Sequence, residues 1–340
     1  MFWNSISKQL ARPLLPAVRR HAVPTWQCAP SRFICDRSLL RLDEYEREKK
    51  KCQLKVKDVD SFWLRIFSLQ DSGDAFEDDL KLAWLLADKD HLPTLVEMTE
   101  HFTQKCSKGS FGSFKFGSVM MRTCHYLNSP DDALKIAESE ILRRWLNDPI
   151  SNIVLMDLLI ESGRSKEAAE VYEKLFKSEW FFALRNPLIP ILYAISLYKQ
   201  GTADSFDRAN KLCSNLVTKL IYKQKIEDII AAFALKVKQA NIARHLVQKR
   251  EANSELSWNI MVQANVMQSH EGSSVLQRRI LQRNQHHVYK DTFAAIQATY
   301  PDLVKSLKIK PINLTVEEQV LGTIHIEDKD HVEAKRKRYY

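Results

Sequence analysis

Apolar residues recur at helical spacing along most of the chain, with polar residues at the positions between them. In 116–126, for example, Phe116, Val119, Met120 and Cys124 fall on one face of a helix. Spacings of three and four residues predict amphipathic helices whose apolar stripe faces a core. The helices predicted in this way cover 75–86, 90–102, 116–126, 130–141, 153–162, 166–177, 188–200, 204–220, 225–238, 240–250, 257–268, 274–283 and 291–299.

The segments between and beyond these helices have other patterns. Residues 43–60 are dense in both charge signs and predict a solvated helix, which an apolar segment follows over 61–69. A turn is expected at 71–74 and a Ser/Gly-rich loop at 105–113. Near the end, a short helix begins at Pro301, a break covers 311–315, and 316–326 is expected to pack back before a charged tail over 328–340.

Two consecutive windows of 35 residues, 116–150 and 151–185, are similar when one is laid over the other without a gap. A fixed period of this length is typical of stacked helix-turn-helix units, each of which buries its apolar face against the next. We therefore expect an all-α fold, an α-solenoid of degenerate 35-residue repeats. The identical pairs are Val119 and Val154, Met121 and Met156, Ala133 and Ala168, Glu138 and Glu173, and Trp145 and Trp180.

Capping signals mark the helix ends of these units. Ser129 is expected to accept hydrogen bonds from the first amides of a helix that has Pro130 at its first position and Asp131 and Asp132 in its first turn. Gly163 is expected at the left-handed position that ends the first helix of the second unit. An N-terminal cap is also expected at Asp90 for the helix over 90–102.

Composition supports an α-solenoid and excludes several other classes. Glycine is scarce, at 8 residues in 340, which argues against barrels and sandwiches and leaves no glycine-rich cofactor loop. Apolar residues make up 45% of the chain, enough for a sizeable core. The longest uncharged apolar runs fall far short of the roughly 20 residues of a membrane span. No cofactor and no membrane span are expected.

The first 41 residues form a separate segment. They hold seven basic residues, one acidic residue and interleaved apolar residues, which is the composition of a mitochondrial transit peptide. The alternative is a disordered basic arm that binds nucleic acid. Cleavage is expected between Arg32 and Asp43. The predicted organisation is a transit peptide over 1–41, a charged helix or linker over 42–60, a solenoid over 61–300 and a C-terminal segment with a basic tail over 301–340.

The formal net charge of +9 is unevenly distributed. The transit segment contributes +6, residues 42–210 hold 23 Lys and Arg against 28 Asp and Glu, and residues 211–340 hold 21 against 13. The acidic front half and basic back half of the remaining chain indicate either a phosphate-binding surface at the back or ordinary solvated helix faces and a charged tail.

The sequence indicates no catalytic or metal site. The six cysteines have no C-x-x-C pair and no ligand spacing with histidine, so they are interpreted as buried thiols. Each acidic pair, Asp78 with Asp79 and Asp131 with Asp132, lies at a predicted helix start, where carboxylates complement the helix dipole. Trp145 and Trp180 are interpreted as packing between repeats rather than stacking on bases. The remaining histidines of interest, interpreted as surface residues, are His286, His287, His325 and His331.

Residues 151–175 resemble a pentatricopeptide repeat, and the wider sequence resembles the animal mitochondrial pentatricopeptide repeat-containing protein 2 family. In the repeat, Leu155–Asp157 matches the centre of the first helix, Gly163–Arg164 the turn and Glu167–Ala168 the start of the second helix. The closer resemblance lies in 114–126, in 155–159 and in 323–326. It implies a right-handed α-solenoid in the mitochondrial matrix that binds single-stranded RNA, without catalysis, and matures a mitochondrial transcript for the respiratory chain.

The resemblance also implies where RNA bases would be read, since typical members read one base per repeat with paired side chains. The reading position of the first helix is Ser118 in one repeat and Ile153 in the next, and the partner positions are Pro149 and Leu184. Three of these four cannot form the usual hydrogen bonds to a base edge. We therefore expect contacts to the RNA backbone and base stacking instead of base-by-base reading.

The candidate RNA-binding residues are Ser118 and a series of cations in the basic back half. Some cations are one helical turn apart, such as Lys219 and Lys223, and can present adjacent charges to successive phosphates. Solvated outer helix faces remain the alternative for each of them. The cations are Lys219, Lys223, Lys225, Lys236, Lys238, Arg244, Lys249, Arg250, Arg278, Arg279 and Arg283.

The predicted function is non-catalytic RNA binding that supports maturation, processing or stability of a mitochondrial transcript, with a processing nuclease or ribosomal proteins as further partners. The alternative is a protein–protein scaffold, such as a subunit of the mitochondrial ribosome or an assembly factor of a respiratory complex. The lost base-reading residues and the acidic front half favour the scaffold. The basic back half and the resemblance favour RNA.

Overall fold

The fold, taken from a computed structural model, is built from packed pairs of helices. The structure describes residues 34–72, 76–106, 116–177, 186–215, 220–248, 254–268, 277, 280–281, 288–322 and 324. In these ranges the regular structure is helical, apart from two isolated parallel β-bridges, between Cys35 and Ile324 and between Tyr289 and Ile312. The predicted all-helical class is confirmed for the described residues, and none of their helices has both the length and the apolarity that a membrane crossing requires.

Six helices, called the A row, pack side by side in chain order. Their starting points, at Glu77, Phe116, Pro149, Leu188, Leu220 and Glu255, are unevenly spaced. The A row consists of α4 (Glu77–Leu86), α6 (Phe116–Tyr126), α8 (Pro149–Glu161), α10 (Leu188–Gln200), α12 (Leu220–Lys236) and α14 (Glu255–Gln268).

The second helix of each pair, called a B helix, follows its A helix in the chain. From α7 onward each B helix packs against the A helix before it and the A helix after it, which joins neighbouring pairs into one core. Ala133 and Ala168, an identical pair of the two similar windows, are fully buried on two of these helices. The B helices are α5 (Leu92–Cys106), α7 (Pro130–Glu138), α9 (Ser165–Lys177), α11 (Ala203–Asn215) and α13 (Ala240–Gln248).

The remaining helices lie at the two ends of the chain. Among the described residues, three helices with defined bounds precede the first A helix and three follow the last one. Two 3₁₀ helices, Lys89–His91 and Leu142–Leu146, lead into α5 and α8. The end helices are α1 (Arg37–Leu40), α2 (Leu42–Lys55), α3 (Val59–Ser72), α15 (Lys290–Thr299), α16 (Pro301–Leu307) and α17 (Val316–Val320).

The expected cap is confirmed at the turn of the second unit, whereas four other predicted helix boundaries are wrong. Gly163 has a φ of 78°, and its amide donates to Ile160 O at 3.2 Å, so it occupies the expected left-handed position. Ser129 forms no cap, because its hydroxyl donates to Asp132 Oδ2 at 2.7 Å instead of accepting from an amide. That helix, α7, also ends at Glu138 rather than at 141.

The other two corrections concern helix starts. The cap expected at Asp90 is formed by Asp88, which closes a capping box with His91 before α5 begins. Helix α8 starts at Pro149 rather than at 153, because the Asp148 carboxylate accepts the Ser151 amide at 2.9 Å. Asp148 thus adds a first turn that the apolar spacing does not show.

Candidate functional site

The A helices carry the predicted base-reading positions, and the middle of the A row has no open face. Every residue from Ser151 to Ile160 on α8 is buried, and so is every residue from Leu188 to Tyr198 on α10. A helix that is apolar all round is enclosed on all sides. The cover comes from neighbouring A helices, from B helices and from two segments at the chain ends.

The N-terminal arm, residues 34–55, packs on α4, α6 and α8. The Arg122 guanidinium of α6 donates from Nε to Leu40 O at 2.9 Å. The Tyr45 hydroxyl donates to Thr123 Oγ1 at 3.1 Å, and both residues are buried. These contacts fix α1 and α2 to the first part of the A row.

The C-terminal arm, residues 309–324, packs on the second part of the A row. Val316 and Val320 of α17 are buried, and α17 contacts α12 and α14. The Val316 amide donates to Asp291 Oδ2 at 3.0 Å, which ties the arm to α15. The prediction that 316–326 packs back is confirmed as far as the structure describes it.

The two arms meet in a short backbone pairing, called the clasp. The Ile324 amide donates to Ile34 O at 2.7 Å, and the Asp36 amide donates to Ile324 O at 3.2 Å. Cys35, the residue between, is fully buried. The A row is therefore covered by the chain's own ends, which contact each other.

Asp157 of α8 lies beneath the clasp and is fully buried. One of its carboxylate oxygens, Oδ1, accepts the Cys35 amide at 2.7 Å, and the other, Oδ2, lies 2.9 Å from His125 Nε2 of α6. Burial raises the pKa of the Cys35 thiol well above its ordinary value, and the Asp157 carboxylate adds to this shift. Asp157 thus joins the N-terminal arm, α6 and α8 through buried polar contacts.

Sequence reasoning missed this cluster because its members lie far apart in the chain. Cys35 and Asp157 are separated by 122 positions, and His125 and Asp157 by 32. One signal was available: Asp157 is a single acid within the apolar run 153–160. A carboxylate at such a position needs partners from other segments.

The predicted base-reading positions are poorly placed for contact with a base. Ser118 is half-buried on α6, and Ile153 is fully buried on α8. Pro149 occupies the first turn of α8, and Leu184 lies outside the described residues. The structure therefore brings no hydrogen-bonding pair to these positions among the residues it describes.

The predicted cations of α12 lie at its two ends rather than in one cluster. Lys225 and Lys236 are eleven residues apart on this helix, which is about 17 Å at 1.5 Å per residue. Lys223 Nζ lies 3.8 Å from Glu227 Oε1. Burial lowers the pKa of Lys225, while the nearby charge of Asp228 acts in the opposite direction.

At the other end of α12, Lys236 contacts the C-terminal arm. Its ammonium lies 4.6 Å from the centre of the Tyr198 ring and 3.5 Å from Glu317 Oε1. Lys238 is exposed and has a φ of 61°. Both side chains are exposed, and that of Lys236 is also paired with the C-terminal arm.

The remaining predicted cations are less defined. Arg244 is half-buried on α13. Trp180 and the four histidines named above lie outside the described residues. So do the other predicted cations, which are Lys219, Lys249, Arg250, Arg278, Arg279 and Arg283.

The acidic pairs are engaged in helix-start contacts, as expected. Asp78 and Asp79 lie in the first turn of α4, where Asp79 Oδ1 accepts from Arg65 at 2.7 Å. Asp131 lies in the first turn of α7 and accepts from Arg164 at 2.5 Å. The dipole interpretation is consistent with both positions.

Trp145 packs inside the protein. Its ring makes an edge contact with Phe116 at a centroid distance of 5.4 Å, and its indole N–H donates to Thr103 Oγ1 at 3.0 Å. The packing interpretation of this residue is confirmed. In the described part of the chain, Cys35 and Cys124 are buried thiols, as the sequence predicts, whereas Cys52 and Cys213 are half-buried thiols.

Comparisons with known proteins support the resemblance found in the sequence. The chain is 24% identical over 246 residues to "Pentatricopeptide repeat-containing protein 2, mitochondrial" of Xenopus laevis, which covers 70% of this chain and 62% of the relative. The protein of the same name from Pongo abelii is 26% identical over 56% of this chain and 50% of its own length. The Homo sapiens protein of that name is 22% identical over 73% and 63%.

The matches therefore span less than two thirds of the length of these relatives. No protein-family profile and no solved structure matches the chain. The predicted similarity to the pentatricopeptide repeat-containing protein 2 family is confirmed.

Proposed function

We propose that this is a non-catalytic mitochondrial protein of RNA metabolism, which acts in the matrix to support maturation, processing or stability of a mitochondrial transcript and so the respiratory chain. The observation that carries the proposal is the similarity, over 56–73% of the chain, to relatives named as mitochondrial pentatricopeptide repeat proteins. The paired helices of the described residues agree with such a repeat protein.

In this proposal the protein contacts single-stranded RNA through phosphates and stacking. Ile153 is buried and Ser118 is half-buried, so the usual reading positions supply no pair of base contacts. The arms cover the A row, so the RNA binds beside it, where exposed cations such as Lys238 reach solvent. Binding of this kind depends on counterion release and is weakly sequence-specific.

Non-catalytic action agrees with the environment of the acidic residues. Asp79 pairs with Arg65, and Asp131 pairs with Arg164, each at a helix start. A nuclease activity in the processing reaction then belongs to a partner, which this protein would bring to the transcript.

Ultraviolet crosslinking in intact mitochondria, followed by sequencing of the bound RNA, tests the proposal. Reads concentrated on one transcript or junction support a role in its maturation. Reads spread over ribosomal RNA, or none above background, contradict that role and favour the scaffold.

A charge-neutralised variant tests the mode of binding. Replacing Lys236, Lys238, Lys249 and Arg250 with Ala should weaken binding to RNAs of every sequence and lower the salt dependence of affinity, since each phosphate contact contributes roughly one unit of slope. Unchanged affinity would contradict the assignment. The matched control neutralises four exposed cations of the acidic half and should leave affinity unchanged; these are Lys50, Lys51, Lys55 and Lys57.

A protein–protein scaffold is the second candidate, and exposed apolar side chains near the N-terminal end favour it. Leu54, Leu64 and Phe76 are 85%, 72% and 71% exposed. Large apolar side chains exposed close together in sequence are typical of a surface that a protein partner covers. Co-purification with ribosomal proteins that survives ribonuclease treatment, and is lost in Leu64→Asp, would support this candidate over RNA binding.

A further inference from the structure

Three potential metal ligands converge beneath the clasp, and the thiol of a fourth residue, Cys35, is hydrogen-bonded to one of them, Asp157. Cys35 belongs to the N-terminal arm, His125 lies near the end of α6, and Asp157 and Glu161 lie on α8. Their side chains offer a thiol, an imidazole and two carboxylates. Cys35 and Asp157 are fully buried, and His125 is 4% exposed.

The positions of three of these groups fit a single ion. His125, Asp157 and Glu161 each place one ligand atom so that all three atoms lie within 4.8 Å of one another. A point equidistant from three atoms at that separation is at most about 2.8 Å from each, whereas Zn²⁺ bonds to nitrogen and oxygen are about 2.0–2.2 Å long. Each of these three ligand atoms would therefore have to move by about 0.6–0.8 Å to bind one ion, and the Cys35 thiol, which lies outside this group of three, would have to move towards it to complete the site.

The helix explains why two carboxylates share the site. Asp157 and Glu161 are four residues apart on α8, so they lie on the same face, one turn from each other. His125 reaches that face from α6, which packs beside α8. The Cys35 amide donates to the Asp157 carboxylate, so the arm places the Cys35 side chain next to the same group.

We propose that Cys35, His125, Asp157 and Glu161 form a structural zinc site that fixes the N-terminal arm to the A row. A thiolate, an imidazole and carboxylates are ligands that zinc accepts, and structural zinc sites are four-coordinate. The site is independent of the proposed RNA role, since it acts on the fold.

The competing arrangement is a metal-free cluster of hydrogen bonds. In that case His125 and the Cys35 amide satisfy Asp157, and Lys199, whose Nζ lies 3.5 Å from Ile160 O, supplies positive charge near both carboxylates. The two arrangements differ in whether the folded chain holds a dication. Metal content separates them directly.

The proposal also requires that Cys35 remains in the mature protein. The transit segment predicted from sequence ends within a window that includes Cys35, and cleavage before Ile34 would preserve the clasp and the ligand. Mass spectrometry of the protein isolated from mitochondria gives its first residue. A mature chain that begins after Cys35 would overturn the four-ligand site.

The main experiment measures zinc bound to the full purified chain. After removal of metal with a chelator, Zn²⁺ is returned, and metal content and affinity are measured by mass spectrometry and by competition with a chromophoric chelator. One tightly bound Zn²⁺ per chain and a rise in Tm on zinc addition are expected. A folded chain, as judged by circular dichroism, that retains no zinc would overturn the proposal.

Two pairs of variants assign the ligands. Glu161→Gln and Cys35→Ser keep side-chain size, so they should fold and bind zinc at least tenfold more weakly. The matched controls, Glu140→Gln and Cys52→Ser, alter an exposed carboxylate and a half-buried thiol elsewhere, and should bind as the wild type does. Equal affinity in ligand and control variants would show that zinc binds at another place and would overturn the assignment.

Discussion

Replacing Gly117 with Ala tests a close approach between two backbone segments. A Cβ added at this position of α6 would lie 2.0 Å from the carbonyl oxygen of Trp145 and 2.7 Å from its carbonyl carbon. Both are backbone atoms, so no side-chain rotation can relieve the overlap. Trp145 itself is held by its contacts with Thr103 and Phe116.

The size of the effect follows from two opposing contributions. Carbon–oxygen contacts normally exceed about 3 Å, so α6 and the 3₁₀ helix of Trp145 must separate by about 1 Å or more. Overpacking costs about 1–3 kcal/mol, and the 2.0 Å contact with a backbone atom places this site in the upper part of that range, at about 2–3 kcal/mol, whereas Ala in place of Gly within a helix contributes about 1 kcal/mol of stability. We expect a net destabilisation of about 1–2 kcal/mol.

Thermal unfolding of the full chain, followed by circular dichroism, measures this effect. At about 2.1 cal/mol/K per residue the unfolding entropy of 340 residues is about 0.7 kcal/mol/K, so a loss of about 1–2 kcal/mol lowers Tm by roughly 1.5–3 °C. Ser118→Ala is the matched control, since Ser118 is the next residue on α6 and is only half-buried; its Tm should equal or slightly exceed that of the wild type. A Tm for Gly117→Ala at or above the wild-type value would refute the close approach of α6 to Trp145.

Three further substitutions test the helix ends. Thr315→Ala removes the capping box with Glu318 and should cost about 1 kcal/mol in thermal unfolding. The contacts of Glu318 with Thr315 lower the pKa of the Glu318 carboxyl. The stability that this group contributes is therefore present above the ordinary carboxyl pKa and is lost as pH falls through the lowered pKa. The Tm values of wild type and variant should converge in acid. Gly163→Ala places a Cβ at a φ of 78° and should cost about 1 kcal/mol; an unchanged Tm would contradict the left-handed turn. Asp148→Ala removes the acceptor of the Ser151 amide and should cost about 1 kcal/mol, whereas Asp148→Asn should retain most of the stability.

The helical pairs were predictable because their signals are local. The apolar spacing of 116–126 and 166–177 places both helices within a residue or so of their observed ends. Gly163 marks a turn because its own backbone adopts a positive φ. Such features depend on neighbours in sequence, so one chain is enough to reveal them.

The helix starts show where local signals compete. Ser129 and Asp132 are both able to cap a helix, and the hydroxyl donates to the carboxylate instead of accepting from an amide. At α8 the N-terminal cap is Asp148. The apolar run used to predict this helix starts after the capped turn, so it does not indicate where the helix begins. Composition identifies the candidates, and only geometry decides between them.

The cover of the A row could not be predicted from spacing, because it depends on contacts between distant segments. A partial signal was present: 188–198 is apolar nearly all round, which is unusual for a helix with one open face. That pattern indicates burial on all sides and does not say what provides it. The cluster around Asp157 was hidden for the same reason.

The clasp has a consequence for how the chain folds. In an open repeat array, stability is close to a sum over neighbouring units, and either end can unfold alone. Pairing Ile34 and Asp36 with Ile324 joins the first and last described segments, so loss of either arm exposes the middle helices to water. The clasp forms only after residue 324 has been synthesised, and until then the A row is open. Newly made chains should therefore depend on chaperones for longer than chains of an array without arms, and native unfolding should be one cooperative event.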